Sequence, residues 1–374
     1  MRKNTARGAP RRGWLVVALS SIFCFSGAEL LLGILYRRNL EQLRFDASDL
    51  YYYYDQNGHR RHIPGKIGYE RMWNDQGKAE FRINSLGFRG PEISLEKRPG
   101  VKRILFIGDS ITLGGRLPEE ETFVWRVGHA LGPSFEVLNA GVGDVGLIEQ
   151  EATLRESLKL KPDLVLLCWF LNDGRPPAGF PDEIVFKNKL IGWFNRQAWL
   201  KKSHLAGFFY ERLRSTLVKR QAESMALENQ RFAWVRPYQA GYWVKDEAAF
   251  RELVDSARFD WGDAWNEQSL ARSAARIVSM RDSARRAGSR FALFALPVHA
   301  QVYAETDTKL AQRPQRYMAE VAAGADIPFL DLLPSLRRER GRPLFYDHCH
   351  YTPPGNGVVA DEITELIRRL EKGA

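Results

Sequence analysis

Residues 104–112 read Ile-Leu-Phe-Ile-Gly-Asp-Ser-Ile-Thr, an apolar run that stops abruptly on Gly108-Asp109-Ser110. An uncharged run of this kind suits a strand buried on both faces. Its carboxyl end then presents a hydroxyl where open α/β sheets build their sites. Working outward, comparable runs span Val101–Ile107, Phe135–Asn139, Asp163–Trp169, Arg290–Leu296 and Ile327–Asp331. Between them the pattern predicts helices near 122–131, 146–160, 266–287 and 312–324. A last helix, at about 355–371, opens after Pro353-Pro354-Gly355-Asn356.

Strand–helix alternation of this length predicts an α/β fold, a three-layer α/β/α sandwich around a five-stranded parallel sheet. With the flavodoxin-like order 2-1-3-4-5, the switch point falls between the first and third strands, and Ser110 and Asn172 flank that crevice.

The chain opens differently. Trp14 to Tyr36 carries a single charge, Glu29, and is long enough to cross a hydrocarbon core. Five bases and no acid precede it, which predicts a cytoplasmic N-terminus and an exported remainder. A cleavable signal peptide ending at Ser26-Gly27-Ala28 is the competing reading. The apolar sequence continues through Leu30-Leu31-Leu32-Gly33-Ile34-Leu35-Tyr36, which favours an uncleaved anchor. Glu29 is costly in lipid, so it is protonated, snorkels outward or marks a cleavage point.

The predicted organisation is a basic tail at 1–13, an anchor at 14–36, a β-rich lead-in at 37–98 and an α/β domain at 99–374. The third and fourth strands lie far apart for a crossover, so 176–265 is an insertion. It holds six of the ten tryptophans (Trp193, Trp199, Trp234, Trp243, Trp261 and Trp265) and a predicted amphipathic helix near 198–222. The tryptophans are expected to fill a small core of the insertion's own. A platform for sugar rings or acyl chains is the alternative.

Composition excludes several classes. An apolar fraction of 44% is that of a globular protein. Cys24, Cys168 and Cys349 are too few and scattered for a disulfide framework. Of the net charge of +10, residues 1–38 hold +6, leaving +4 over the other 336 residues. That surplus reads as a solvated surface, and no basic-plus-aromatic module points to nucleic acid.

Every candidate site residue follows a strand. Ser110 follows the first, Gly141-Val142-Gly143-Asp144 the second, Asn172-Asp173 the third, and Asp347 and His350 come after the fifth. Acyl transfer through a hydroxyl needs a nucleophile, a base, a group that orients the base, and donors for the oxyanion. Ser110 supplies the first, His350 the second and Asp347 the third. The backbone amides of Ser110, Gly143 and Asp144 and the carboxamide of Asn172 are the candidate donors. Asn172 as a mere turn or cap residue is the plainer alternative. Asp347-His348-Cys349-His350 also has the look of a metal cluster, but no second ligand group has compatible spacing, and no metal is expected. His299 is expected to be structural, and His348 and Cys349 to flank the pair without direct chemistry.

From about residue 80 onward the chain resembles the SGNH/GDSL hydrolase superfamily. Gly108-Asp109-Ser110 is similar to its first block and Asn139-Ala140-Gly141-Val142-Gly143-Asp144 to its second. Leu171-Asn172-Asp173 is similar to the third, and Asp347-His348-Cys349-His350 to the fifth. Two positions depart from the pattern. Phe170 stands where many members have glycine, and Asp144 aligns with the second-block glycine whose amide donates. The Gly-x-Ser-x-Gly elbow of ordinary α/β-hydrolases is absent, because Thr112 takes its second glycine position.

The resemblance implies esterase, lipase or O-acyl-transfer chemistry by a Ser–His–Asp mechanism. Together with the export topology it leads to the expectation of a cofactor-free serine esterase removing an acyl group, O-acetyl among the candidates, from an envelope glycan or lipid. An O-acyltransferase using the same three residues, and a non-catalytic glycan-binding scaffold, are the alternatives.

Overall fold

Five strands pair in parallel in the computed structural model of the chain, in the spatial order β6-β5-β7-β8-β9. They are β5 (Lys102–Ile107), β6 (Phe135–Asn139), β7 (Leu164–Phe170), β8 (Arg290–Leu296) and β9 (Phe329–Asp331). In chain order this is 2-1-3-4-5, the arrangement the sequence implies. The structure describes residues 11–35, 51–55, 59–174, 203–209, 212, 232–305 and 308–372.

Position in the sheet explains the residue patterns. All seven residues of the central strand β7 are buried, as are five of six in β5, because each is covered by neighbours and by helices on both faces. The edge strands β6 and β9 are shorter and only part-buried. Helices Phe123–Leu131 and Pro353–Lys372 pack together as one layer. Leu147–Ser157, Glu267–Arg286 and Arg313–Gly324 form the other. A single apolar core runs through both layers, each fully buried Leu, Ile or Phe contributing about 1.5–3 kcal/mol.

The lead-in consists of two antiparallel pairs, β1 (Tyr52–Tyr54) with β2 (Arg60–His62) and β3 (Ile67–Arg71) with β4 (Lys78–Arg82). Its own small core joins Tyr51, Ala79, Phe81 and Ile83 to Leu113, which lies just past Ser110. Arg89 is buried, with its guanidinium 3.9 Å above the Phe81 ring. It donates to the carbonyls of Leu113 (2.8 Å), Gly114 (2.6 Å) and Leu117 (2.6 Å). One cation from the lead-in thus satisfies the carbonyls that end the turn carrying Ser110.

The insertion corrects one expectation. Trp234, Trp243, Trp261 and Trp265 belong to the main core and form no separate one. Helices Val235–Ala240 and Glu247–Ser256 pack on the same core through Val235, Tyr238, Phe250, Leu253 and Val254. Trp193, Trp199 and most of the predicted helix near 198–222 lie outside the described residues; 204–209 is helical.

The chain divides into two compact units, Met1–Ser48 with Phe186–Gln221, and Asp49–Val185 with Ala222–Ala374. In the first, α1 (Arg11–Leu35) is a continuous helix whose stretch Gly13–Leu35 is long and apolar enough to cross a membrane.

Candidate active site

Ser110 opens a single helical turn, Ser110–Leu113, directly after β5. The Asp109 carboxylate caps that turn by accepting from the amide of Ile111 at 2.9 Å. Glycine is required just before it, since a Cβ on Gly108 would run into the Thr112 hydroxyl. The turn after β6 is held against the same place. Val142 N donates to Gly108 O (3.1 Å), and the Asn139 side chain donates to Thr112 O (3.0 Å) while accepting from Gly141 N (3.0 Å). A Cβ on Gly141 would lie 2.7 Å from the Thr112 carbonyl carbon.

The loop after β9 brings the remaining partners. Asp347 Oδ1 accepts from the amides of Cys349 (2.9 Å) and His350 (2.8 Å), which folds Asp-x-x-His into a tight turn. That leaves Oδ2 to meet His350 Nδ1 at 2.8 Å. With Nδ1–H donated to the carboxylate, Nε2 is the acceptor, and the Ser110 hydroxyl lies 2.8 Å from it. Backbone bonds from Tyr346 N to His350 O and from His299 N to His348 O pin this loop to itself and to the end of β8.

Electrostatics follow from the same contacts. Burial disfavours a charged His350, but the Asp347 hydrogen bond and charge outweigh it and raise its pKa above the usual histidine value. Burial likewise opposes the Asp347 carboxylate, yet His350, His348 and the Cys349 amide hold it well below the usual range. Each partner thus stabilises the charged form of the other.

The candidate oxyanion donors sit on the same sheet edge. Gly143 and Asp144 lie in the turn after β6 and Asn172 directly after β7, on either side of β5 and Ser110. Asp144 has φ 57°, in the left-handed region that favours glycine and that aspartate tolerates better than most residues. The Asn172 turn is fixed by buried Asp173, whose carboxylate accepts from Phe170 N (2.8 Å) and Gln150 Nε2 (2.7 Å).

Three contributors had no sequence signal. Tyr346 stacks on the His350 ring, centroids 5.5 Å apart and planes within 6°, and its hydroxyl donates to Gly115 O at 2.8 Å. It ties the His350 loop to the turn that carries Ser110. Arg89 acts from the lead-in as described. Arg60, lying over the Tyr52 ring, also brings its guanidinium to 3.6 Å from where a Gly143 Cβ would stand. Isolated arginines of this sort are found only once the lead-in is folded onto the sheet.

The flanking residues resolve as follows. His299 packs among Tyr303, Tyr238, Trp243 and Phe345, and burial lowers its pKa to about 4, with His348 adding to the shift. His348 lies against Trp234. Cys168 and Cys349 are both free thiols. Donor atoms of Asp347, Cys349 and His350 lie within 4.8 Å of one another. A cation there would compete with the His350–Asp347 hydrogen bond, and burial raises the Cys349 thiol pKa against thiolate formation.

No protein-family profile matches the chain, and no curated protein sequence does. Solved structures that it resembles include a catalytic mutant of an acetylxylan esterase from Geobacillus stearothermophilus, at 16% identity and TM-score 0.41. The match covers 72% of this chain and 96% of that one. The lipase/acylhydrolase from Enterococcus faecalis matches at 15% identity and TM-score 0.40, over 71% and 95%. The M. smegmatis aryl esterase matches at 14% identity and TM-score 0.38, over 72% and 100%.

Proposed function

We propose that the chain is a serine esterase of the SGNH/GDSL type that works through an acyl-serine intermediate. The observation that carries this reading is the continuous relay from Ser110 Oγ to His350 Nε2 and from Nδ1 to Asp347, both links 2.8 Å long. As Ser110 Oγ attacks an ester carbonyl, its proton passes to His350 Nε2, and Asp347 stabilises the imidazolium. Backbone amides of Ser110, Gly143 and Asp144 and the Asn172 carboxamide take the oxyanion. His350 then returns the proton to the leaving alkoxide, and water repeats the sequence to release the acid. No metal or cofactor enters this route.

The substrate in this reading is an acylated envelope glycan or lipid. The apolar helix anchors the protein in the inner membrane, with the basic residues before it in the cytoplasm and the α/β domain on the far side. The organisation into tail, anchor, lead-in and insertion-bearing domain is part of the same proposal. Replacing Ser110 with Ala in the full-length, detergent-solubilised protein tests it. Turnover of short-chain aryl esters is expected to vanish while the fold is kept; unchanged turnover would reject the assignment.

A further inference from the structure

Glu29 is the single charge within the membrane-length stretch Gly13–Leu35, and the structure gives it partners. Its carboxylate accepts from the Ser203 hydroxyl (2.9 Å), from the amides of His204 and Leu205 (the latter 2.9 Å), and pairs with His204 Nδ1 at 2.9 Å. These groups open the helical stretch 204–209. A carboxylate at this depth is expensive unless satisfied, and here four donors from one other segment satisfy it. Glu29 therefore docks that segment on α1.

The sequence around the docking point has a distinct chemistry. Residues 186–221 hold nine lysines and arginines against Glu211 alone, a net +8 out of +10 for the whole chain. The surplus assigned above to a diffuse solvated surface is thus concentrated here, and the rest of 39–374 is net −4. Seven of these 36 residues are aromatic, a richer share than the chain's 12%. Within the described part Phe209 is 63% exposed. Basic residues interleaved with Trp and Phe mark elements that lie in the plane of a bilayer interface. The depth also agrees: Glu29 lies six residues before the end of α1, about 9 Å along the helix, and interfacial elements sit roughly 5–10 Å into the headgroup boundary.

We infer that the segment opening at Ser203, seated on α1 through Glu29, is a second membrane contact that prefers anionic phospholipid. The inference rests on the proposal that α1 spans a membrane. Anionic lipid is the occupant that complements the charge, and the exposed Phe209 supplies an apolar contact.

Spin labels at Ile22→Cys and Phe209→Cys, each in full-length Cys24→Ser protein, test this in phosphatidylglycerol–phosphatidylethanolamine vesicles; Cys168 and Cys349 are buried. Both labels should collide preferentially with oxygen over a water-soluble nickel chelate. The preference at Phe209 should fall several-fold when phosphatidylcholine replaces the anionic lipid or when Glu29→Ala is added, with Ile22 unchanged. A Phe209 label open to the chelate, or shielded from both reagents as in a protein contact, would overturn the inference while an oxygen-exposed Ile22 keeps the anchor. No response to phosphatidylcholine would overturn the lipid assignment, and none to Glu29→Ala the docking. A chelate-exposed Ile22 would remove the anchor and the inference together.

Discussion

Ser110 Oγ and His350 Nε2 meet at 2.8 Å across 240 residues of chain. The contact depends on two turns built independently: the capped turn that ends β5, and the Asp347-centred turn after β9. Tyr346 bridges them, stacked on the imidazole and bonded to Gly115 O.

Because Asp347 raises the His350 pKa, the acid limb of kcat/KM should lie above the ordinary histidine value of 6.5. Only neutral His350 can accept the Ser110 proton, so activity is lost as pH falls through that raised value. Asp347→Asn should move the limb to lower pH and cut kcat by roughly 10⁴-fold. A pH–rate profile of both proteins measures this; an unmoved limb would separate Asp347 from the base.

Asn172 tests the oxyanion assignment. Asn172→Ala should reduce kcat by roughly 10²–10³-fold, about 2.7–4 kcal/mol of barrier, with KM little changed. Equal loss in KM alone would mark Asn172 as a binding or turn residue.

Gly141→Ala should destabilise the protein by about 1–3 kcal/mol or more, since the new methyl meets backbone of Thr112 and Leu113 that has no room to yield. Thermal unfolding would show a fall in Tm of several degrees. An unchanged Tm would mean that the two turns are not in close contact.

Acid should weaken the fold before most carboxylates titrate. His62 is fully buried beside Gly87 O (3.0 Å), and burial lowers its pKa from 6.5 to about 4. A depressed value means the stabilisation is complete above about 6.5 and is lost as pH falls toward 4 and through it. The loss should reach on the order of 3 kcal/mol from His62, with His299 acting in the same direction. Chemical denaturation across this range would reveal it, and a flat profile would contradict the burial of His62.

The sheet was legible because its strands are buried on both faces, so Ile104–Ile107 and Leu164–Phe170 carry no charge. Asp347 and His350 were legible because the three-residue spacing is itself a local turn. What escaped was long-range: Arg89 and Arg60 act from hairpins whose docking no periodicity encodes. The insertion's tryptophans were misplaced for a related reason. Composition shows that Trp234, Trp243, Trp261 and Trp265 need burial but not which core receives them. At Asp144 the backbone takes φ 57°, a left-handed conformation that the sequence alone did not announce.

In the proposed mechanism Ser110 carries the acyl group. Rapid acid quench of the full-length protein during turnover of an aryl acetate, followed by peptide mass spectrometry, tests it directly. One acetyl group is expected on the peptide containing Ser110, absent in Ser110→Ala and lost together with turnover when His350 is replaced. Steady turnover with the acetyl group on another residue, or on none, would contradict it.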